Sequence, residues 1–355
     1  MQYIIRNDSK TYILSIIIYL LLTLLYNASP VFAQTIPEKP NVIVILTDDQ
    51  GYADAGFQGF PASSEVVTPN IDDLAESGII FENGYVASST CGPSRASLLT
   101  GRTSSRFGIE RNNTWPDKNT GPPIDEIIIP ALISEYGYTS AAFGKWHLGE
   151  LDGMLPLQRG FDYYWGDIPR HKDYLMTHLD QPPVWDPPKT KEEKYLMDAY
   201  TDEAIDFISR NKNNPFFAYV AYNAPHSPFR TKKRLVERVV AARPQFEDAY
   251  ERMKQETEKW DGVNYDFGTY KGLDLDQEIL RLVYISMLLS VDDGVGKLVD
   301  TLENLNLREK TLIFYLSDNG AALDRPNDLG GVNIPLRDGK GSVYDGGVVV
   351  TYVMS

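Results

Sequence analysis

The chain has 355 residues, 43% of them apolar, a formal net charge of −15 and a single cysteine. That size and apolar content suffice for one large buried core, while the negative charge excludes non-specific nucleic-acid binding and the lone cysteine excludes an internal disulfide. Any anionic ligand is repelled at long range and has to be held by local Arg, Lys and His.

The first 33 residues stand apart. Arg6 and Lys10 precede an apolar run from Tyr12 to Tyr26, and Val31 and Ala33 suit a cleavage site before Gln34. Residues 1–33 therefore read as a secretory signal peptide and 34–355 as the mature domain, exported to a periplasm, the extracellular space or a secretory lumen. The run is shorter than a membrane span needs, so no stable span is expected, with an uncleaved membrane anchor as the minority alternative. An unpaired thiol in an oxidising compartment is a liability unless it has a use, which directs attention to Cys91.

Beyond the leader, short β-rich runs alternate with helical patterns, the order of a parallel α/β sheet. Val42 to Thr47 is a continuous apolar run of the kind buried on both faces, ending at Asp48-Asp49-Gln50-Gly51. Thr68-Pro69 starts a helix with Thr68 as N-cap, closed by Gly78 before Ile79 to Phe81. A second helix begins near Pro93, directly after Cys91, and a third opens at Pro130 and stops at Gly137. Thr139 to Phe143 reads as a strand ending at Lys145-Trp146-His147. Ala199 to Arg210 is helical, and Pro215 to Tyr222 is a strand ending at Asn223-Ala224-Pro225-His226. Residues 231–271 are charged and aromatic and read as an insertion with helical portions on the surface. Gln277 to Leu302 is a long helix, followed by the strand Leu312 to Leu316, which ends at Ser317-Asp318-Asn319-Gly320.

Four apolar strands thus end in residues able to bind metal or anions. Ligands of open α/β sheets bind outside the carboxyl ends of the strands, so these four segments should converge on one crevice. Asp48, Asp49, Asp318 and Asn319 offer hard oxygen ligands suited to Ca2+ or Mg2+. Either pair alone would pass for turn formers; together they favour a metal. Lys145 and His147, two apart, point the same way from an extended strand end while Trp146 points into the packing. His226 sits in a stiff loop between Pro225 and Pro228, fit to hold an imidazole as proton donor or acceptor. The other two histidines, His171 and His178, lie in a polar loop and read as surface or substrate-rim residues.

The most specific segment is Cys91-Gly92-Pro93-Ser94-Arg95-Ala96-Ser97-Leu98-Leu99-Thr100-Gly101-Arg102. An anionic ester at this helix start would meet backbone N–H groups, the positive end of the dipole and Arg95 one turn in. C-x-P-S-R followed by T-G-R resembles the signature of the Cys-type sulfatases of the alkaline phosphatase superfamily. The resemblance continues through Asn41 to Gly51, Gly144 to Gly149, Ala224-Pro225-His226, Ser317 to Gly320 and Gly339-Lys340-Gly341.

That resemblance implies an alkaline-phosphatase-like three-layer α/β sandwich with a largely parallel central sheet, and an enzyme that hydrolyses sulfate monoesters, with a sulfated carbohydrate or small molecule as substrate. It implies that Cys91 is converted by a separate formylglycine-generating maturation enzyme to an aldehyde whose hydrate attacks sulfur. Asp48, Asp49, Asp318 and Asn319, with the group formed from Cys91, would hold a divalent metal, Ca2+ with Mg2+ as the alternative. Arg95 would hold the hydrate, Lys145 and Lys340 would bind sulfate oxygens, His147 would assist release of sulfate, and His226 would protonate the leaving alcohol. Two features depart from the family. Asp345-Gly346-Gly347-Val348-Val349 lacks an arginine usual at its end, and the sequence stops at Ser355, so the usual C-terminal subdomain is expected to be absent and Val348 to Val353 to form an uncovered, unpaired β edge. The competing readings are a phosphonate or phosphate diester hydrolase of the same superfamily and an inactive, truncated homologue that binds sulfate esters.

Overall fold

The computed structural model describes residues 39–112, 121–167, 195–259, 264–268, 276–324 and 327–355. The signal-peptide reading, His171 and His178 fall outside them. In chain order the elements are β1 (Asn41–Asp48), α1 (Pro69–Glu76), β2 (Ile79–Ile80), α2 (Cys91–Thr100), α3 (Ile129–Ser134), β3 (Thr139–Lys145) and β4 (Tyr163–Asp167). They continue with α4 (Leu196–Asn211), β5 (Phe216–Pro225), β6 (Phe229–Lys232), α5 (Lys233–Ala242), α6 (Glu247–Gln255), β7 (Asn264–Gly268) and α7 (Gln277–Asn304). The last are β8 (Thr311–Ser317), the short pair β9 (Leu323–Asp324) and β10 (Asn327–Asp328), α8 (Asp345–Val348) and β11 (Tyr352–Met354).

Seven strands form one sheet in the order β2-β11-β8-β1-β5-β3-β4. Strands β8, β1, β5, β3 and β4 run parallel, and β11 lies antiparallel between β8 and β2. The central strands are apolar throughout because both of their faces are covered. On one face Ile43 and Ile45 of β1 join Tyr200 and Phe207 of α4 and Leu282, Ile285 and Leu289 of α7 in one buried cluster. On the other, Val44 and Leu46 join Ala96 and Leu99 of α2 with Trp146 and Phe161. The alternation of β1 side chains thus separates two helical layers about one sheet, a three-layer α/β sandwich. No described helix is long and apolar enough to cross a membrane.

Two expectations are corrected. Residues 231–271 do not simply lie on the surface: α5 buries Leu235, Val236, Val239 and Val240, and α6 buries Ala249, Tyr250 and Met253, in the same cluster as α7. The apolar positions recur at helical spacing, but Lys233, Arg234, Glu237 and Arg238 between them hide the stripe in a linear reading. The apolar end is also not an unpaired edge. Val350 and Val353 are fully buried, and β11 is hydrogen-bonded on both sides. The open edge falls to β2, where Ile79 and Ile80 are exposed.

Helix α1 is capped in a way that its own sequence does not show. Thr68 occupies the N-cap but its hydroxyl donates to Asp72 Oδ1 (3.1 Å) and makes no cap bond. The carboxylate of Asp292, on α7, accepts from Ile71 N (2.9 Å) and Asn70 Nδ2 (2.7 Å) instead. Burial pushes the Asp292 carboxyl up to about 7, against the pull of those two hydrogen bonds. Its folded pKa lies above the usual 3.8, so the folded state binds the proton more tightly. Stability from this group therefore falls as pH rises from the unfolded towards the folded value, and is flat above it. Asp292→Asn keeps an acceptor for Ile71 N and removes the titration. Its melting temperature relative to the parent should rise by at least about 2 °C between pH 5 and pH 8; thermal denaturation followed by circular dichroism would refute this with a difference constant across that range.

Candidate active site

The four polar strand ends belong to β8, β1, β5 and β3, which are consecutive in the sheet, so the topology delivers them to one place. Parallel register sets Thr47 beside Ser317, which makes Asp48 and Asp49 neighbours of Asp318 and Asn319. All four are buried, Asp49 least so. Asp49 adopts a left-handed backbone conformation (φ 64°), its N–H donates to Asp318 Oδ1 (3.3 Å), and its Oδ1 accepts from Asn319 Nδ2 (2.7 Å).

Helix α2 begins at Cys91 itself, two residues before the proline expected to open it, with Thr90 at the N-cap. Pro93 occupies a first-turn position, where its missing N–H costs nothing. The Cys91 thiol donates to Asp48 Oδ1 (3.4 Å) and lies 4.0 Å from Asp49 Oδ1. One ligand atom from each of Asp48, Asp49, Cys91 and His226 fits within 4.8 Å of the others. Burial pushes the Cys91 thiol up to about 12, with Asp318 adding to it and Lys145 and Lys340 opposing.

Three cations balance the three carboxylates. Arg95, fully buried one turn into α2, contacts Asp318 Oδ2 through Nε (2.9 Å) and Nη2 (2.7 Å), approaches Asp48 Oδ2 (3.5 Å), and donates from Nη1 to the Lys145 carbonyl (3.1 Å). Lys145 Nζ pairs with Asp48. Lys340 Nζ reaches both oxygens of Asp49 (2.6 and 2.7 Å), and its loop is clipped in place by Lys340 N to Ala321 O (2.9 Å) and Gly341 N to Ser89 O (2.8 Å). Burial works against the Asp48 carboxylate, yet Lys145, followed by His226, Arg95 and Lys340, holds it well below the usual range. Burial and the Asp48 charge push Asp318 up to about 6, against Arg95.

The histidines reach the cluster by turns. His226 follows β5, and its Nε2 lies 3.6 Å from Asp49 Oδ2. Burial lowers its pKa although Asp48 and Asp49 pull the other way. Strand β3 ends at Lys145, and His147 takes a left-handed conformation (φ 58°), so the strand alternation expected to align it with Lys145 stops short. Trp146 is buried and donates to Met154 O (3.0 Å). Both His147 ring nitrogens are shut from solvent without a hydrogen-bond partner among the described residues, and burial, then Lys145 and Arg95, hold its pKa well below the ordinary histidine value.

The donor set fits a hard divalent cation. Three carboxylates and one amide gather at the two strand ends, and among the described residues the Asn319 Oδ1 acceptor is buried with no donor, the situation a metal ion relieves. Sequence reasoning passed over Asn112, whose Oδ1 accepts from Gly92 N (2.8 Å) at the start of α2, and Gln50, which accepts from Thr47 Oγ1 (2.9 Å) and Tyr315 OH (2.7 Å) behind the Asp49 turn. Asn112 carries no spacing signal, whereas Gln50 was visible only as part of the strand-end motif.

Comparison with known proteins bears on this cluster. The family model described as Sulfatase matches residues 40–355. The N-acetylgalactosamine-6-sulfatase of Mus musculus is 33% identical over 353 residues, covering 92% of this chain and 59% of the mouse protein. The crystal structure of Ps i-CgsB is similar with a TM-score of 0.72 at 35% identity, over 89% of this chain and 66% of that one. The same protein in complex with k-i-k-neocarrahexaose matches with the same TM-score and coverage at 34% identity. The chain thus spans somewhat over half the length of the mouse relative.

Arg95 is the tie whose loss should be felt most. Arg95→Ala leaves two buried carboxylates without their shared counter-charge, a change of about 3–5 kcal/mol, and should lower the melting temperature of the metal-free protein by on the order of 10 °C. Arg95→Lys keeps a charge but not the forked contacts, and should fall between the two. A drop under about 2 °C for the alanine variant in a calorimetric scan would contradict this role.

Proposed function

The chain belongs to the sulfatase family, and from that premise we propose that it hydrolyses sulfate monoesters of a carbohydrate through a nucleophile made from Cys91. The observation that carries the reading is the setting of Cys91: the chain's one cysteine, at a helix N-terminus, against two carboxylates and among three buried or half-buried cations. With its pKa pushed to about 12 the residue is a thiol at neutral pH, and a thiol is a weak nucleophile. Converted to formylglycine and hydrated, position 91 would supply an attacking oxygen and a second hydroxyl able to release sulfate without a further attack by water. A maturation enzyme and an exported chain belong to the same proposal.

Asp48, Asp49, Asp318 and Asn319 are the residues that would hold the metal, which we take to be Ca2+ because the set is all oxygen. Such a cation would draw charge from a sulfuryl oxygen. Arg95 orients the group at position 91 through its place between Asp48 and Asp318. Lys145 and Lys340 bind the sulfuryl oxygens and offset the charge that builds on them during transfer. His147, kept neutral, accepts a proton as sulfate leaves. His226, on the open side of the cluster, gives a proton to the departing alcohol; a bound ester's negative charge raises a pKa that burial has lowered. The cavity beside His226 and Lys340, walled by Phe229, Tyr284, Ala322 and Leu329, accommodates that alcohol. A relative named N-acetylgalactosamine-6-sulfatase and another solved with k-i-k-neocarrahexaose support a sulfated sugar.

Expression with a formylglycine-generating enzyme should yield a Cys91 peptide lighter by about 18 Da and reactive to hydrazides. That protein should cleave 4-nitrophenyl sulfate well above 4-nitrophenyl phenylphosphonate, and Cys91→Ala should be folded and inactive. Full activity in protein whose Cys91 peptide is entirely free thiol removes the mechanism, and preference for the phosphonate ester removes the substrate class.

Acid catalysis matters less when the departing oxyanion is already stable. His226→Ala should therefore lower the rate on a sulfated sugar at least about tenfold more than on 4-nitrophenyl sulfate. Equal losses on both esters would move the acid elsewhere.

A further inference from the structure

Beneath the Asp49 turn lies a buried group whose polar atoms have no part in the steps above: Asp54, Tyr284 and Arg281, which are 0%, 2% and 9% exposed. The Tyr284 hydroxyl donates to Asp54 Oδ2 (2.8 Å), accepts from Gly51 N (3.0 Å) and sits 3.2 Å from the Asp49 carbonyl oxygen. Its single hydrogen goes to the nearer, charged acceptor. Asp54 Oδ2 also accepts from Val332 N (2.8 Å), and its Oδ1 from Arg281 Nη1 (2.8 Å). Arg281 is fixed in turn by Gly330 O (2.6 Å) and Glu65 Oε2 (2.9 Å). Space is closed around the contact: a Cβ on Gly51 would come within 2.4 Å of both Asp54 Oδ2 and Val332 O.

We infer that Tyr284, oriented by Asp54 and Arg281, is a positioning residue that sets the Asp49 carboxylate for divalent-cation binding. The inference rests on the metal proposed above. Asp49 stands in a left-handed conformation, uncommon outside glycine though open to Asp, so the direction of its side chain depends on what holds the turn. The hydroxyl accepts from the Gly51 N–H just past Gln50 while it is held by Asp54, so it pins the end of the turn that aims Asp49 at Asn319 and Lys340. The same Asp54 carboxylate ties the turn to Val332, and Asn333 joins that segment to Tyr52 N (3.4 Å) and Ala321 N (2.9 Å). Without the hydroxyl the Gly51 N–H is left buried and unsatisfied, and the turn relaxes to satisfy it.

Tyr284→Phe keeps the ring and removes the hydroxyl. Calorimetric titration of the full, unmodified chain with Ca2+ needs no turnover and should give a Kd at least tenfold weaker than the parent's, with unchanged far-UV circular dichroism. Tyr222→Phe is the control, because it loses an equally buried hydroxyl contact with Thr201 (2.6 Å) away from the turn; its Kd should stay within twofold. If Tyr284→Phe fails to fold, Asp54→Asn carries the same test, with at least a threefold loss expected. Parent-like Ca2+ affinity in the folded variant, or an equal loss in Tyr222→Phe, overturns the positioning role alone. A parent that binds neither Ca2+ nor Mg2+ overturns the metal reading and this inference with it.

Discussion

Three carboxylates at the ends of two neighbouring strands set the terms for the rest of the site. Parallel register between β1 and β8 brings Asp48 and Asp49 against Asp318, all of them removed from water. Two like charges 4 Å apart repel by about 4 kcal/mol at an effective dielectric of ~20, so such a cluster persists only if cations are delivered to it. Arg95 comes from α2, Lys145 from the end of β3 and Lys340 from a loop after β8. Each arrives from a different part of the chain, and none can reach the acids until the sheet is assembled and α2 is packed on it. The site is consequently a product of the whole fold rather than of any one motif.

The same cluster explains why the cysteine is not a ready thiolate. A helix N-terminus normally favours the anionic form, and Lys145 and Lys340 act in the same direction. Burial and the Asp318 and Asp48 charges outweigh them. Cavities built to use a thiolate put the sulfur among cations with few acids nearby. Here sulfur lies against the buried carboxylates of Asp48 and Asp49, surroundings that suit an oxygen donor at position 91 better than a thiolate.

Much of this was legible in the sequence because of how parallel sheets are built. Strands covered on both faces are apolar runs, so the polar residues that end them stand out, and Asp48, Lys145, His226 and Asp318 could be read from that contrast alone. The helix-start motif marked Cys91 and Arg95, though the helix begins at the cysteine and not at Pro93. Other features rest on pairings without a local signal. Strand β11 is three residues long and gains its place only by lying between β8 and β2. The Asp292 cap on α1 joins residues 221 apart, and the Arg281 contact with Asp54 joins residues 227 apart. Helices α5 and α6 looked like surface because their charged faces dominate the composition, while burial follows the narrower apolar stripe.

The chain's acidity bears on how an anionic ester could be held at all. With a net charge of −15, long-range attraction is not available, and the local cations are already engaged: Lys145 on Asp48, Lys340 on Asp49, Arg95 on Asp318. Moving either ammonium from its carboxylate to a sulfuryl oxygen exchanges one anion for another with no net gain, and it strands a buried carboxylate at a cost of about 3–5 kcal/mol. Binding becomes favourable only if something else neutralises the carboxylates at the same time. A divalent cation held by Asp48, Asp49, Asp318 and the Asn319 oxygen, which has no donor among the described residues, would do this and leave the two lysines to the ester. On this argument metal and substrate would be coupled through the lysines as well as through direct contact, because the cations offered to the ester are the ones that a metal would release.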